Sequence, residues 1–390
     1  MGGIGRLVRI VILVAVALAL VLTVALPPPS AAAASASPAP DIPETEPAEP
    51  TSLGGRWRKL PRSPFGAVSP AAVWTGSRMV VADPRSRRTA TYDPVARRWE
   101  EHERAPWTFH LIGPVVWTER EMIVLDREEQ VAAGYAFDPD RGRWRTIATP
   151  PSPELRAAVW SGDVVVAATV DRRAAAYDPV EDAWLVLPQV PVPTGPAWRR
   201  AYEPSWELEG LHWTGDRLIA VMEPDDGGLI SIATLDPVTW AWVLEPQGEM
   251  IWAYRSSSIW AAGRLWFLSF QANRFGVTNA TYDLATDTWE PYEGECLIAG
   301  RAIWTGRLIL EGGVRRALDP ATGECYRAPR PRDRNRVWYA EVWTGRELIL
   351  WSGSRGEHTR PLPDGISYRP RLDALGRPRV AQQEGTDVRD

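Results

Sequence analysis

Apolar positions along the chain come in short runs of four to six residues, either alternating with polar ones or fully apolar, and tight polar turns separate them. AAVW at Ala71–Trp74, the turn Thr75-Gly76-Ser77-Arg78 and MVVA at Met79–Ala82 are typical. No run keeps a helical period for longer than a turn, so the pattern predicts short antiparallel strands. Seven of the runs carry a tryptophan just before such a turn, at Trp74, Trp117, Trp160, Trp213, Trp260, Trp304 and Trp343, at steps of 43, 43, 53, 47, 44 and 39 residues. A second β-rich run follows each turn, for example EMIVL, RLIAVM or RLILE.

A second signature completes most units. It reads Tyr92-Asp93-Pro94 then Trp99, Phe137-Asp138-Pro139 then Trp144, and Tyr177-Asp178-Pro179 then Trp184. It continues as Leu235-Asp236-Pro237 then Trp242, and Tyr282-Asp283 then Trp289. In the sixth unit Leu318-Asp319-Pro320 precedes Cys325 where tryptophan is expected. Each unit therefore reads as four strands, a to d. The Thr-Gly turn supplies φ > 0 between a and b, and Asp-Pro opens the turn between c and d. One such sheet cannot bury both of its faces, so the units must stack as blades around an axis.

The seventh unit has strands a and b and a strand-c candidate ending at Tyr368-Arg369-Pro370, but no strand-d tryptophan after it. GRWRKLPRSPF at Gly55–Phe65 resembles the strand-d segments of later units, so Trp57 marks a strand d without a blade. Joining the two closes a ring of seven blades and removes the exposed sheet edges. The expected fold is all-β: a seven-bladed propeller over residues 53–370 whose last blade is closed by the N-terminal strand, with a flexible tail over 371–390.

The arrangement resembles the kelch-repeat superfamily, which includes the central domain of galactose oxidase and similar bacterial secreted proteins. The resemblance rests on the Tyr-Asp-Pro…Trp half of the repeat. The double glycine that ends strand b in that family is intact only at Gly312-Gly313, with a relic at Ser352-Gly353. The resemblance implies a propeller and does not fix a function. The family's copper chemistry needs a Tyr/His ligand set and a thioether-forming cysteine, and none of those positions maps onto this chain.

Ahead of the ring, Arg6 and Arg9 precede an uncharged apolar run from Ile10 to Leu26, and Ala34-Ser35-Ala36 fits a small-x-small cleavage pattern. Residues 1–36 thus read as a signal peptide or an uncleaved N-terminal membrane anchor; both place the remainder outside the cytoplasmic membrane, secreted or tethered in the cell envelope. Residues 37–52 are rich in Pro, Glu and Ala with few large apolar side chains, and read as a disordered linker. The net charge of −5 gives no general attraction to nucleic acid. A monomer is expected, with any membrane contact made through the anchor.

Long loops on a rigid scaffold are where recognition concentrates. The d–a connections and b–c loops should share one face. The longest connection there carries Trp198, Arg199, Arg200, Tyr202 and Trp206; others carry Arg274 and Arg336. Arginine with tryptophan or tyrosine suits sugars, peptides or carboxylates. Arg301 and Glu341 interrupt the small residues of strand a and are candidates for the central channel, paired with each other or with water. His102, His110, His212 and His358 lack metal-site spacing, and Glu223-Pro224-Asp225-Asp226-Gly227 lacks an EF-hand pattern, so no metal or cofactor is expected. Cys296 and Cys325 form an even pair in an exported chain, yet the strand register puts them at opposite ends of neighbouring blades. Their pairing stays open. Asn279-Ala280-Thr281 matches a glycosylation sequon.

No acid/base, nucleophile or metal constellation stands out. The expected function is therefore a non-catalytic binding or protein-interaction module for an unidentified protein or carbohydrate. The second reading is a carbohydrate-active enzyme, a sugar oxidase or mutarotase-like protein. Polar residues converging at the axial mouth would distinguish a pocket from a flat partner surface.

Overall fold

The computed structural model describes residues 51–107, 112–126, 132–193, 205–224, 228–246, 252–253, 257–268, 279–292, 294, 296, 298, 301–331, 336–356 and 360–372. Its strands form seven sheets that are the blades of a propeller, beside a two-stranded ribbon of Gly228–Leu229 with Trp252–Ala253. Blade one runs a to d as Ala71–Trp74, Met79–Ala82, Thr89–Asp93 and Arg98–Glu101, each strand antiparallel to the next. Strand a of blades two to six is Ile112–Trp117, Leu155–Trp160, Trp206–Trp213, Ser257–Ala261 and Ala302–Trp304.

The ring closes as the repeat predicts. Blade seven takes Ala340–Trp343, Leu348–Trp351 and Gly365–Pro370 from the C-terminal side, and Gly55–Lys59 from the N-terminal side as its strand d. Trp57 sits opposite Tyr368 in that antiparallel pair. Thr51 and Ser52, the last residues of the expected linker, add a short parallel strand to the outer edge of blade six, beside Tyr326 and Arg327.

Successive residues of a strand point to opposite faces of the blade, so the core lies between blades. Met79, Val81 and Tyr92 of blade one pack with Val342, Ile349 and Trp351 of blade seven. Val73 and Val80 face the other way, onto Met122, Val124 and Phe137 of blade two. The turns follow the chemistry read from the sequence. Gly76, Gly162, Gly215, Gly306 and Gly345 between strands a and b have φ of +84° to +112°. Asp93 accepts from the Val95 and Ala96 N–H groups, and Asp138, Asp178 and Asp236 repeat this pattern.

The strand-d tryptophans latch each blade to the one before it. Trp99 donates its indole N–H to the Pro61 carbonyl, Trp184 to Ala148, Trp242 to Pro188 and Trp289 to Pro246, at 2.8–3.1 Å; Trp57 does the same to Pro329. Each acceptor lies four residues past the preceding blade's strand-d tryptophan or, for Pro329, past Cys325 in the same position. Trp144 instead donates to the Thr89 hydroxyl of blade one.

Cys325 fills the tryptophan position of blade six and is disulfide-bonded to Cys296, with Cα atoms 5.1 Å apart. The strand-register expectation that set the two at opposite ends of neighbouring blades is corrected here. Cys296 lies beyond strand d of blade five, in the connection that runs on to blade six. It packs with Ile298 among Trp266 and Leu268 of blade five and Ile309 and Leu318 of blade six, which brings it over strand d of the next blade.

Candidate functional site

Strand a of each blade is innermost, and most neighbouring a strands touch around the hub. These strands are mainly apolar or small residues, so their charged residues stand out. Arg156 in blade three and Glu209 in blade four are each the extra residue of a β-bulge: Leu155 and Ala157 pair with Thr169 and Ala168, and Leu208 and Gly210 pair with Met222 and Val221. A bulge re-aims a side chain. Here two bulges in adjacent blades bring the Arg156 guanidinium to 3.2 Å from the Glu209 carboxylate. Burial and the nearby Glu223 push the Glu209 carboxyl above its ordinary range, against the pull of Arg156.

Across the hub, blades six and seven assemble a second group. The Gly313 N–H donates to Glu341 at 2.6 Å. A Cβ at Gly313 (φ +73°) would lie 2.8 Å from the Tyr339 hydroxyl, and one at Gly312 would meet Arg301 and Glu341 atoms at 3.1–3.2 Å. The intact double glycine is thus what lets this cluster form. Burial raises the Glu341 carboxyl, opposed by the Gly313 N–H, Arg301 and Tyr339. Burial and the neighbouring Glu341 carboxylate raise the Tyr339 phenol in turn. Arg301 is exposed and Glu341 is half-buried.

Next to Tyr339 in the chain is Trp338, 43% exposed and held at φ +54°. A left-handed conformation at a bulky residue is costly and persists only where its surroundings fix it. The Ser69 N–H donates to the Trp338 carbonyl at 2.8 Å, and the preceding Val337 bridges to Ser354. Between blades four and five, the His212 imidazole meets the Ser258 hydroxyl at 2.7 Å, and burial lowers its pKa to about 4.

The sequence-selected residues fall in different places. Trp198, Arg199, Arg200, Tyr202 and Arg274 lie outside the described residues. Trp206 is half-buried at the start of strand a and packs against the core between blades three and four. Arg336 is 8% exposed; its guanidinium bonds the Ser352 carbonyl and the Asp364 carbonyl and carboxylate, which braces blade seven rather than facing solvent. Asn279 of the sequon is 4% exposed and so is not presented for glycosylation. Arg301 and Glu341 do come together at the hub. Arg156, Glu209, Trp338 and Tyr339 went unselected; a charged residue four positions before the strand-a tryptophan is the signal that could have found the first two.

No family model and no curated protein matches the chain. The propeller and its hub therefore carry the functional argument alone.

Proposed function

We propose that the protein is an exported, kelch-like propeller that acts as a binding module, with a hydroxyl-rich ligand such as a carbohydrate held at the hub mouth. The observation that carries this reading is Trp338. An exposed indole fixed in a strained backbone conformation, next in the chain to the Tyr339 phenol that joins Glu341 and Arg301, supports stacking on a sugar ring with hydrogen bonds to its hydroxyls. A glycan and metabolite binding screen on the full chain tests it. Saturable binding should weaken at least tenfold in Trp338→Ala. A screen without saturable binding, or a hit indifferent to that substitution, would end the reading. Export is supported by the N-terminal basic-then-apolar pattern, and cell fractionation checks it.

A second reading, a carbohydrate-active enzyme, is favoured by one observation. Glu209 and Glu341 both hold their protons more tightly than ordinary carboxyls, as a general acid requires. Turnover of a bound sugar that Glu209→Gln abolishes would favour it over simple binding.

A further inference from the structure

Blade seven differs from the others where its two chain ends meet. In blades one to five, the residue before the strand-d tryptophan sits opposite an aspartate: Arg98 opposite Asp93, Arg143 opposite Asp138, Ala183 opposite Asp178, Ala241 opposite Asp236 and Thr288 opposite Asp283. That aspartate accepts the backbone N–H groups of the c–d turn. Blade seven has no c–d turn, because its strand d comes from the other end of the chain, and the aspartate has no such task there. Arg369 occupies the position, directly opposite Arg56.

Like charges facing each other across a ladder are destabilising, and here they are part of a larger set. Arg56, Arg58, Arg346, Arg369 and Arg371 line one groove of about 510 Å³ with Gly345, Pro370 and Leu372. All five arginines are exposed. None forms an ion pair with a carboxylate among the described residues, in a chain whose net charge is −5. Several arginines of other blades are paired instead, as Arg88 is with Glu101, Arg145 with Glu121 and Arg264 with Asp283.

We propose that this seam groove is an anion site that takes a ligand carrying phosphoryl groups. Guanidinium forks match tetrahedral oxyanions bidentately, and the groove is of the size that holds small ligands. A bound polyanion would also relieve the repulsion between Arg56 and Arg369. The site is separate from the hub and does not depend on the reading of it.

The test uses inorganic pyrophosphate with the full chain in a neutral detergent, and reads affinity by calorimetry and the thermal midpoint. Binding should be saturable, raise the midpoint and weaken steeply as salt rises from about 50 to 300 mM. Arg369→Asp restores the residue type of the other blades, so it should fold at least as well while binding at least tenfold more weakly. Arg346→Ser, in an exposed turn, should weaken binding without disturbing the sheet. In a second arm phosphatidylglycerol is doped into the micelles. Binding of the lipid but not of pyrophosphate, lost in Arg369→Asp, assigns the phosphoryl group to a headgroup at the same site. Absence of binding in both arms, or binding by both variants as tight as by the native chain, overturns the proposal.

Discussion

Cys325 stands where six other blades place a tryptophan, and its bond to Cys296 does covalently what five of those indoles do by hydrogen bonding. Each latch ties strand d of one blade to the connection leaving the blade before. Blade six has the shortest strands of the ring, three residues each in its own a to d, so a covalent tie falls where the ladder is weakest.

Removing that tie should be costly. The bridge spans 29 residues, and closing a loop of that length restricts the unfolded chain by about 3–4 kcal/mol. Denaturant unfolding of Cys296→Ser/Cys325→Ser should show a midpoint lowered to match, and reductant should have the same effect on the native protein. An unchanged midpoint would show that the latch is dispensable.

A single indole latch can be tested separately. Trp99→Phe keeps most of the ring packing against Tyr92 and Trp351 but leaves the Pro61 carbonyl without its donor. The expected loss is about 1–2 kcal/mol. Trp99→Ala should lose about 3–5 kcal/mol, because packing goes as well.

Acid should weaken the fold through His212. Its folded pKa of about 4 lies below the ordinary imidazole value near 6.5, so between those limits the unfolded chain binds more protons. Stability is therefore complete above about pH 6.5 and falls as the pH drops toward 4. The span corresponds to at most about 3 kcal/mol, reduced by the partial solvent access at the hub. In His212→Gln this part of the pH dependence should vanish, as unfolding curves at pH 4 and 7 would reveal.

Glu341 should act in the opposite direction. Its folded proton affinity is raised, so the folded state binds the extra proton, and stability declines as the pH climbs through the interval above the ordinary carboxyl value. Glu341→Gln can still accept from Gly313. It should gain on the native protein at pH 7 and lose that gain near pH 4. An equal difference at both values would assign the carboxylate no such strain.

Blades three and four expose apolar side chains on strand d, with Leu185 51%, Val186 68% and Val243 57% exposed. Edge strands of this kind invite association. Leu185→Lys/Val243→Lys should change stability by less than about 0.5 kcal/mol and reduce any concentration-dependent association in sedimentation. Association unaffected by these changes would direct attention to another surface.

What could be read from the chain in advance follows from which features repeat. The seam between Trp57 and Tyr368 was legible because GRWRK repeats the strand-d pattern of GRWRT, so a missing strand at one end matched a spare one at the other. The disulfide was not, because Cys296 lies in a non-repeating connection whose path over blade six no periodicity encodes. Arg156 and Glu209 are hard to read because a bulge shifts the alternation by one residue, and only their charge four positions before the strand-a tryptophan marks them. Thr51-Ser52 is too short to signal a strand. The left-handed φ of Trp338 is demanded by nothing in its neighbours' identities. Arg369 was visible as the one basic residue in a Tyr-x-Pro context, but its meaning depended on knowing that Arg56 faces it.

Pairing Gly55–Lys59 with Ile366–Pro370 also orders events in time. Gly55–Lys59 leaves the ribosome about 300 residues before its partner strand, so the circle stays open until Ile366–Pro370 has been made. A contact between residues that far apart in the chain is slow to form. Early blades can assemble, but the molecule completes itself in one late step, and until then both lips of the gap present unsatisfied backbone to whatever passes.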